Sequence, residues 1–363
     1  MKARHLVAAA VAFAAALFLD PASFAQETDA AGGKYTVVEL ATLLVDGVSY
    51  ARGVNASGEA AGRSGEATGS DTRAVAWTSK GDVEILGVLP GGDYSAAFAI
   101  NNGKEIVGTS NTATGVRAFL WTGRDGMQDL GTLPGDTGSE AFDINNGGDV
   151  VGASNGPLGI RAVLWKKGEG ITELGILPGG RSAKAAKINE GGDIVGTSDS
   201  ATGNRAFLWT KIGGMQSLGT LPGDTSSEAV GINNSGQVVG NSTGPSGSHA
   251  FLWTANEGMM ALGALPGGTE SRALGISNRR VVVGTSDSAT GTRAFVWKKS
   301  TGMIDLNSLI PALDYLGSVL SEAHSVGDLG EITALIGGGE KAPMAGDDTH
   351  EQDHVYRAFL LTP

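Results

Sequence analysis

The chain has 363 residues; 58 are glycine, more than twice the usual share of roughly 7%, and only 18% are charged. That composition excludes a coiled coil, whose heptads need Glu and Lys, while the 41% apolar content excludes a charged disordered chain. A net charge of −12 argues against nucleic acid or anionic membranes as partners, and the lack of cysteine removes disulfides, thiolate catalysis and Cys-ligated zinc.

Residues 1–25 read as a secretory signal peptide. Met1-Lys2-Ala3-Arg4-His5 is basic, Leu6 to Leu19 is an apolar run of 14, and Ser23-Phe24-Ala25 supplies small residues before a cleavage site. A run of 14 is too short to span a membrane, and no later segment is longer. Cleavage would remove Lys2, Arg4 and Asp20 and leave a net charge of −13. The predicted location is extracytoplasmic, periplasmic or secreted. Residues 26–34 read as a linker, and residues 35–45, with Glu39-Leu40-Ala41-Thr42-Leu43, as an isolated strand.

From there the chain is periodic. Its six tryptophans stand at Trp77, Trp121, Trp165, Trp209, Trp253 and Trp297, every 44 residues. Around each lies one unit, clearest in Phe142-Asp143-Ile144-Asn145, Val150-Val151-Gly152, Arg161-Ala162-Val163-Leu164-Trp165 and Leu174-Gly175-Ile176-Leu177-Pro178-Gly179. Four short apolar or alternating runs bounded by Gly, Asn or Pro predict four antiparallel strands, a to d. Four strands per 44 residues, without helical spacing between them, predict an all-β β-propeller.

Counting the strands predicts the closure. Strand a recurs seven times, on Ala51, Ala97, Ala141, Ala185, Ala229, Ala273 and Ala323, and strand c seven times, the last ending at Leu361. Strand d also recurs seven times, but its first copy precedes every strand a. The step from the last Leu of strand d to the next Ala is eight from Leu43 to Ala51, as it is from Leu89 to Ala97. Residues 35–363 therefore read as seven blades, with 35–45 the outer strand of blade seven, which removes the free edges of an open array. The competing reading is an open β-array.

Blade seven breaks the period. Leu309 to Ala323 is six residues too long, and Ala334 to Arg357 fourteen too long. The insertions, near 310–320 and 337–353, lie in d-to-a and b-to-c loops and therefore on one face of the ring. They carry Asp314, Tyr315, His350, Glu351, Asp353 and His354. Insertions in repeat proteins gather on binding faces, which makes these residues candidates for ligand contact.

The motif His249-Ala250-Phe251-Leu252-Trp253, with Leu-Gly-x-Leu-Pro-Gly and Ile-Asn-x-x-Gly around it, resembles the HAF-family extracellular repeats over nearly the whole chain after residue 25. The resemblance implies export and a repeat fold, without an established chemistry. The His of the tag is Arg in the other six copies, so His is not a required ligand.

That position, Arg73, Arg117, Arg161, Arg205, His249, Arg293 and Arg357, is basic in all seven blades. It reads either as a set of latches to acidic loop residues such as Asp136, Glu140, Asp224 and Glu228, or as a ring of guanidiniums for carboxylate or sulfate. The tryptophans read as inter-blade packing in preference to ligand stacking. The strand-b glycines Gly108, Gly152, Gly196, Gly240 and Gly284 are assigned to crowding against the next blade or to positive φ, and the Ser found two before the strand-a Ala in six blades, Ala183 being the exception, to satisfying a turn N–H. An 88-residue alternation of the b-to-c loops, Ser110-Asn111 and Ser198-Asp199 against Asn155-Gly156-Pro157 and Thr243-Gly244-Pro245, reads as a trace of duplication.

His350-Glu351-Gln352-Asp353-His354 matches the zinc-peptidase pattern, but its flanks leave no helix to put both His on one face and no third ligand follows, so no metal and no cofactor are expected. The reading is an exported, non-catalytic module, monomeric, that binds a protein, peptide or glycan through one loop face. The alternative is an extracytoplasmic glycan lyase or hydrolase with its site at the channel mouth, where Arg52, Asp143, Lys187 and His324 on strand a would have to converge.

Overall fold

A computed structural model of the chain describes residues 35–44, 47–66, 71–310, 319–337 and 356–363. These form seven four-stranded antiparallel sheets, and the only helix among the described residues is a 3-10 turn at Leu306–Leu309. Six sheets are continuous in sequence, covering residues 48–87, 95–129, 138–173, 183–219, 226–261 and 271–305. In the seventh, Thr36–Glu39 pairs with Arg357–Thr362, followed inward by Ile332–Ile336 and Leu320–Val326. Strand a of blade seven touches strand a of blade one, so the sheets close into a seven-bladed β-propeller.

The register of closure is the predicted one, with Val38 opposite Leu360 and Glu39 opposite Phe359. The paired strand is shorter than the 35–45 read from sequence. The chain leaves the sheet after Leu40, whose N–H still bonds the Ala358 carbonyl.

Each blade interface is a separate apolar layer. Strand b and c side chains of one blade, such as Val107 and Ala118, pack on Leu133, Ala141, Ile144 and Val150 of the next. Two buried serines tie the layers together in blades one, two, three, five and six, and the strand-b serine alone in blade four. The strand-b serine accepts from the leucine that ends strand d at Leu43/Ser64, Leu89/Ser110, Leu133/Ser154, Leu177/Ser198, Leu221/Ser242 and Leu265/Ser286, each at 2.9–3.1 Å. The strand-a serine accepts from a strand-c alanine of the preceding blade, as in Ser95 from Ala74 and Ser139 from Ala118. Its donor is therefore a strand N–H of the neighbouring blade, and the turn N–H expected from sequence is not involved.

The strand-b glycines also have a different cause from the one read in sequence. Their φ is not positive, and a Cβ on Gly152 would lie 1.9 Å from the Glu140 carbonyl oxygen of the same blade. The obstacle is the strand-a bulge between Ala141 and Asp143, which presses that carbonyl towards strand b. Blade seven carries Ala334 at this position, and there strand a has a second irregularity, between Leu320 and Glu322.

The a-to-b turns carry two hydrogen-bonded belts that run between blades. Nδ2 of Asn55, Asn101, Asn145, Asn189 and Asn233 each donates to the carbonyl of the corresponding residue one blade on, at 3.1–3.4 Å. The next residue's N–H donates to the side chain of Asn102, Asn146, Glu190, Asn234, Asn278 or Asp328 in the following blade. The first belt ends at Ser277 of blade six, which has no side-chain amide, and the second at blade seven, because Ala56 of blade one offers no side-chain acceptor.

Candidate functional site

Six of the seven basic rim positions latch a d-to-a loop or the closing strand. Arg73, Arg117 and Arg205 each donate through Nη1 to a carbonyl twenty residues on, Asp93, Thr137 and Thr225, at the start of the next blade. Arg161 instead meets Asp136 at 2.6 Å and Glu173 at 3.3 Å, His249 faces Asp224 at 3.5 Å, and Arg357 pairs with Glu39 of the closing strand at 2.7 Å. Arg293 donates to the Thr292 carbonyl and to Thr290 Oγ1.

The 88-residue alternation has a physical meaning here. In blades three and five the acid sits on the d-to-a loop, as Asp136 and Asp224, and Gly156 and Gly244 leave room for it. In blades two, four and six the acceptor sits on the b-to-c loop, as the amide of Asn111 or the carboxylates of Asp199 and Asp287, where its oxygen accepts two consecutive d-to-a N–H groups. One acceptor serves each loop pair, and in blades two and four the Arg freed of that acid, Arg117 or Arg205, reaches across to the next blade.

Asp314, Tyr315, His350, Glu351, Asp353 and His354 lie outside the described residues, as do the signal peptide and linker. The roots of the two insertions are described. Leu320 is opposite Ile336, and Ile336 opposite Arg357, so both insertions leave one end of blade seven. Asn307 clamps the first, donating from Nδ2 to the Leu320 carbonyl and accepting its N–H.

That same end of strand a carries the ionisable groups of the channel. The residue before each strand-a alanine is Glu140, Lys184, Glu228, Arg272 and Glu322 in blades three to seven, alternating in sign around the axis. Arg272 meets Glu228 at 3.2 Å, and Nε2 of His324 lies 2.8 Å from Glu322 Oε2. Arg52, in blade one, has its guanidinium 5.2 Å from the Phe98 ring, which in turn stacks on Phe142 at 5.8 Å. Of the four residues named from sequence, Arg52 and His324 gather here. Asp143 and Lys187 pair with each other at 3.2 Å further along the channel, where Asp143 also accepts the Ile188 N–H. Sequence reading missed Glu322 and Arg272 and took Glu228 for a latch partner of the basic rim position, whereas it pairs with Arg272, although the alternating signs at one fixed position were visible.

Burial pushes the Glu322 carboxyl up, but contact with His324 and the charges of Arg52 and Arg272 outweigh it and hold the group below its ordinary value. A carboxyl depressed in the folded state stabilises the fold above its unfolded pKa and loses that contribution as pH falls through the folded one. Wild-type stability is therefore expected to drop more steeply below pH ~4.5 than that of Glu322→Gln. Parallel acid limbs in melting curves would show that Glu322 is not held in this way.

Of the six tryptophans, Trp77, Trp121, Trp165 and Trp297 are buried between blades, as expected, whereas Trp209 and Trp253 are half-buried. Among the described residues no helix is long and apolar enough to cross a membrane.

No family model matches the sequence, and no curated protein does. Solved structures resemble the fold. The chain is similar to a prolyl endopeptidase studied for inter-domain dynamics in catalysis, at 12% identity over 80% of this chain with a TM-score of 0.53, and spans 46% of that protein. It is also similar to TolB from Acinetobacter baumannii, at 10% identity with a TM-score of 0.45, covering 69% of this chain and 61% of that one. A third likeness is XC5397, a gluconolactonase from Xanthomonas campestris, at 12% identity over 91% of this chain and 90% of that one, with a TM-score of 0.41. At 12% identity the prolyl endopeptidase likeness speaks for the fold alone.

Proposed function

We propose that the protein is an exported, non-catalytic propeller of the HAF-repeat type that binds a peptide or glycan through the face carrying the blade-seven insertions. The charged channel mouth would receive an ionised group of the ligand. The observation that supports this reading is the departure from sevenfold regularity beside strand a. Packing requires the alanine in every blade, but it gives no reason for Glu228, Arg272, Glu322, His324 and Arg52 to crowd one sector. Withdrawing charge from water costs several kcal/mol per ion before pairing offsets it. Paired as they are, these groups are fixed in place before a ligand arrives, which lowers the ordering cost of recognition.

The test is a screen of the chain from residue 26 onward against peptide and glycan arrays, repeated with an Arg52→Gln, Arg272→Gln double variant. Binding that weakens at least tenfold in the variant supports the placement, and undiminished binding overturns it. Cleavage of any arrayed ligand would instead favour the glycan lyase or hydrolase reading, for which the close Glu322–His324 pair is the relevant observation.

A further inference from the structure

The opposite face, built from the a-to-b and c-to-d turns, holds a groove of about 370 Å³ between blades five and six. Its walls include Trp253, Thr254, Asn256, Gln237, Glu257 and Arg280. This is the size range of small-molecule sites. Three departures from the repeat coincide in it.

The first is Trp253 itself. Trp77, Trp121, Trp165 and Trp297 are buried, whereas Trp253, like Trp209, is half-buried, and its N–H has no acceptor among the described residues.

The second is the backbone of Arg280. The third residue after the belt position has positive φ in all seven a-to-b turns, and it is Gly58, Gly148, Gly192, Gly236 and Gly330 in five of them. Only Lys104 and Arg280, at +58° and +59°, place a side chain in this left-handed conformation, which L-residues adopt at a cost. A non-glycine held there calls for a reason. Lys104 has one, because it bridges Glu59 at 3.5 Å and Glu84 at 3.2 Å in the preceding blade.

The third is the loss of both those acids beside Arg280. The Glu59 position is acidic in five blades, as Glu59, Glu105, Asp149, Asp193 and Glu331, but is Gln237 here, and the register position of Glu84 is Met260. Arg280 Nε donates to Gln237 Oε1 at 2.9 Å, which orients the guanidinium. Its two terminal nitrogens have no hydrogen-bond partner and no carboxylate within 4 Å among the described residues. Glu257 shares the groove, but Lys299 lies 3.7 Å from its carboxylate.

We propose that this groove is a binding site for a carboxylate-bearing sugar, a uronic acid residue, with Arg280 holding the carboxylate and Trp253 the ring. A guanidinium fixed through Nε presents its Nη1 and Nη2 as a planar fork that matches a carboxylate. The indole face offers a broad apolar surface to the C–H side of a pyranose, and its N–H is a donor for ring substituents. Asn256 and Thr254 supply amide and hydroxyl groups for the sugar hydroxyls. The equivalent groove one blade earlier has a half-buried Trp209 but Gly236 and Asp193 in place of Arg280 and Gln237, so it lacks the cation and keeps the acid.

The test titrates the chain from residue 26 onward with trimers of galacturonate, glucuronate and mannuronate, and with their neutral methyl esters, following tryptophan fluorescence and heat of binding. At least one trimer is expected to bind saturably and at least tenfold more tightly than its ester. Arg280→Gly, which installs the residue found in five other blades, should lose at least tenfold in affinity with an unchanged or raised melting point. Gln237→Glu, which restores the acid, should do the same, and Trp209→Phe should change neither affinity nor quenching. Failure of every trimer to bind, equal binding of the esters, or undiminished affinity in Arg280→Gly would each overturn the proposal.

Discussion

Deletion of residues 26–45 is expected to lower the melting point by roughly 10 °C or more and to leave a protein that aggregates. Residues 36–39 are the outer strand of blade seven, and the segment after them seals blade one as well. Leu40 is 1% exposed and packs with Val38 and Leu43 against Trp77 and Leu360. Losing one such leucine costs about 2–5 kcal/mol. The deletion also strips Ser64 and the Trp77 indole of their partners on Leu43 and Ala41, at about 1 kcal/mol or more each. The sum exceeds ~5 kcal/mol, and each kcal/mol is worth about 2–4 °C in a chain of 150–250 residues. The edge laid bare on residues 357–362 is a template for pairing with another chain. A deletion variant that melts within ~2 °C of the parent would sink the closed ring.

Arg161→Ala is expected to cost about 3 kcal/mol, and Arg205→Ala about 1 kcal/mol, in urea or thermal unfolding. Both residues occupy the same place in the repeat, and the difference lies in what each leaves behind. The Arg161 and Asp136 side chains are 12% and 1% exposed, so removing the guanidinium strands a buried carboxylate with Ser154 as its remaining partner. Breaking a buried pair from one side costs about 3–5 kcal/mol. Arg205 bonds the carbonyls of Thr202, Asn204 and Thr225 at the surface, where water replaces it. Asp136→Asn in the Arg161→Ala background should recover part of the loss, because it removes the stranded charge. Equal losses for the two arginines would contradict the latch assignment, and weakened sulfate binding without loss of stability would restore the anion-site reading.

The ring was legible because its determinants are local and recur. Tryptophan every 44 residues, alanine eight after leucine, and a strand-d motif ahead of the first strand a together specify blade number, register and closure. What stayed hidden depends on contacts between blades. Nothing in Gly152 by itself distinguishes a neighbouring blade from a bulged strand in its own sheet, and only the 1.9 Å approach to Glu140 decides it. The belt asparagines looked like turn residues, which they also are, since Asn145 Oδ1 accepts the Asp149 N–H within its own turn. Their second bond, to the next blade, has no signature within one repeat. Trp253 and Trp297 end the same strand of the repeat, yet one is half-buried and the other buried. The readable signal lay in the exceptions, an arginine where five turns have glycine and a glutamine where five have an acid.

The pairing of Thr36 with Thr362 also sets an order of events in time. The first strand of the ring to be synthesised has its partner among the last residues, more than three hundred positions away, whereas blades one to six are each complete within about 40 residues. Each of those sheets can form while the chain is still emerging, but the N-terminal strand must wait. Until the final strand arrives, an arc of six blades persists with uncovered interfaces at both ends, the period when such a chain is most open to misassembly. Closure is the slow, non-local step, because the ends must find each other before any of their hydrogen bonds forms. Both belts of a-to-b turn bonds are also missing at that final interface, so the last joint of the ring to form depends on the shared blade and its apolar layer in their place.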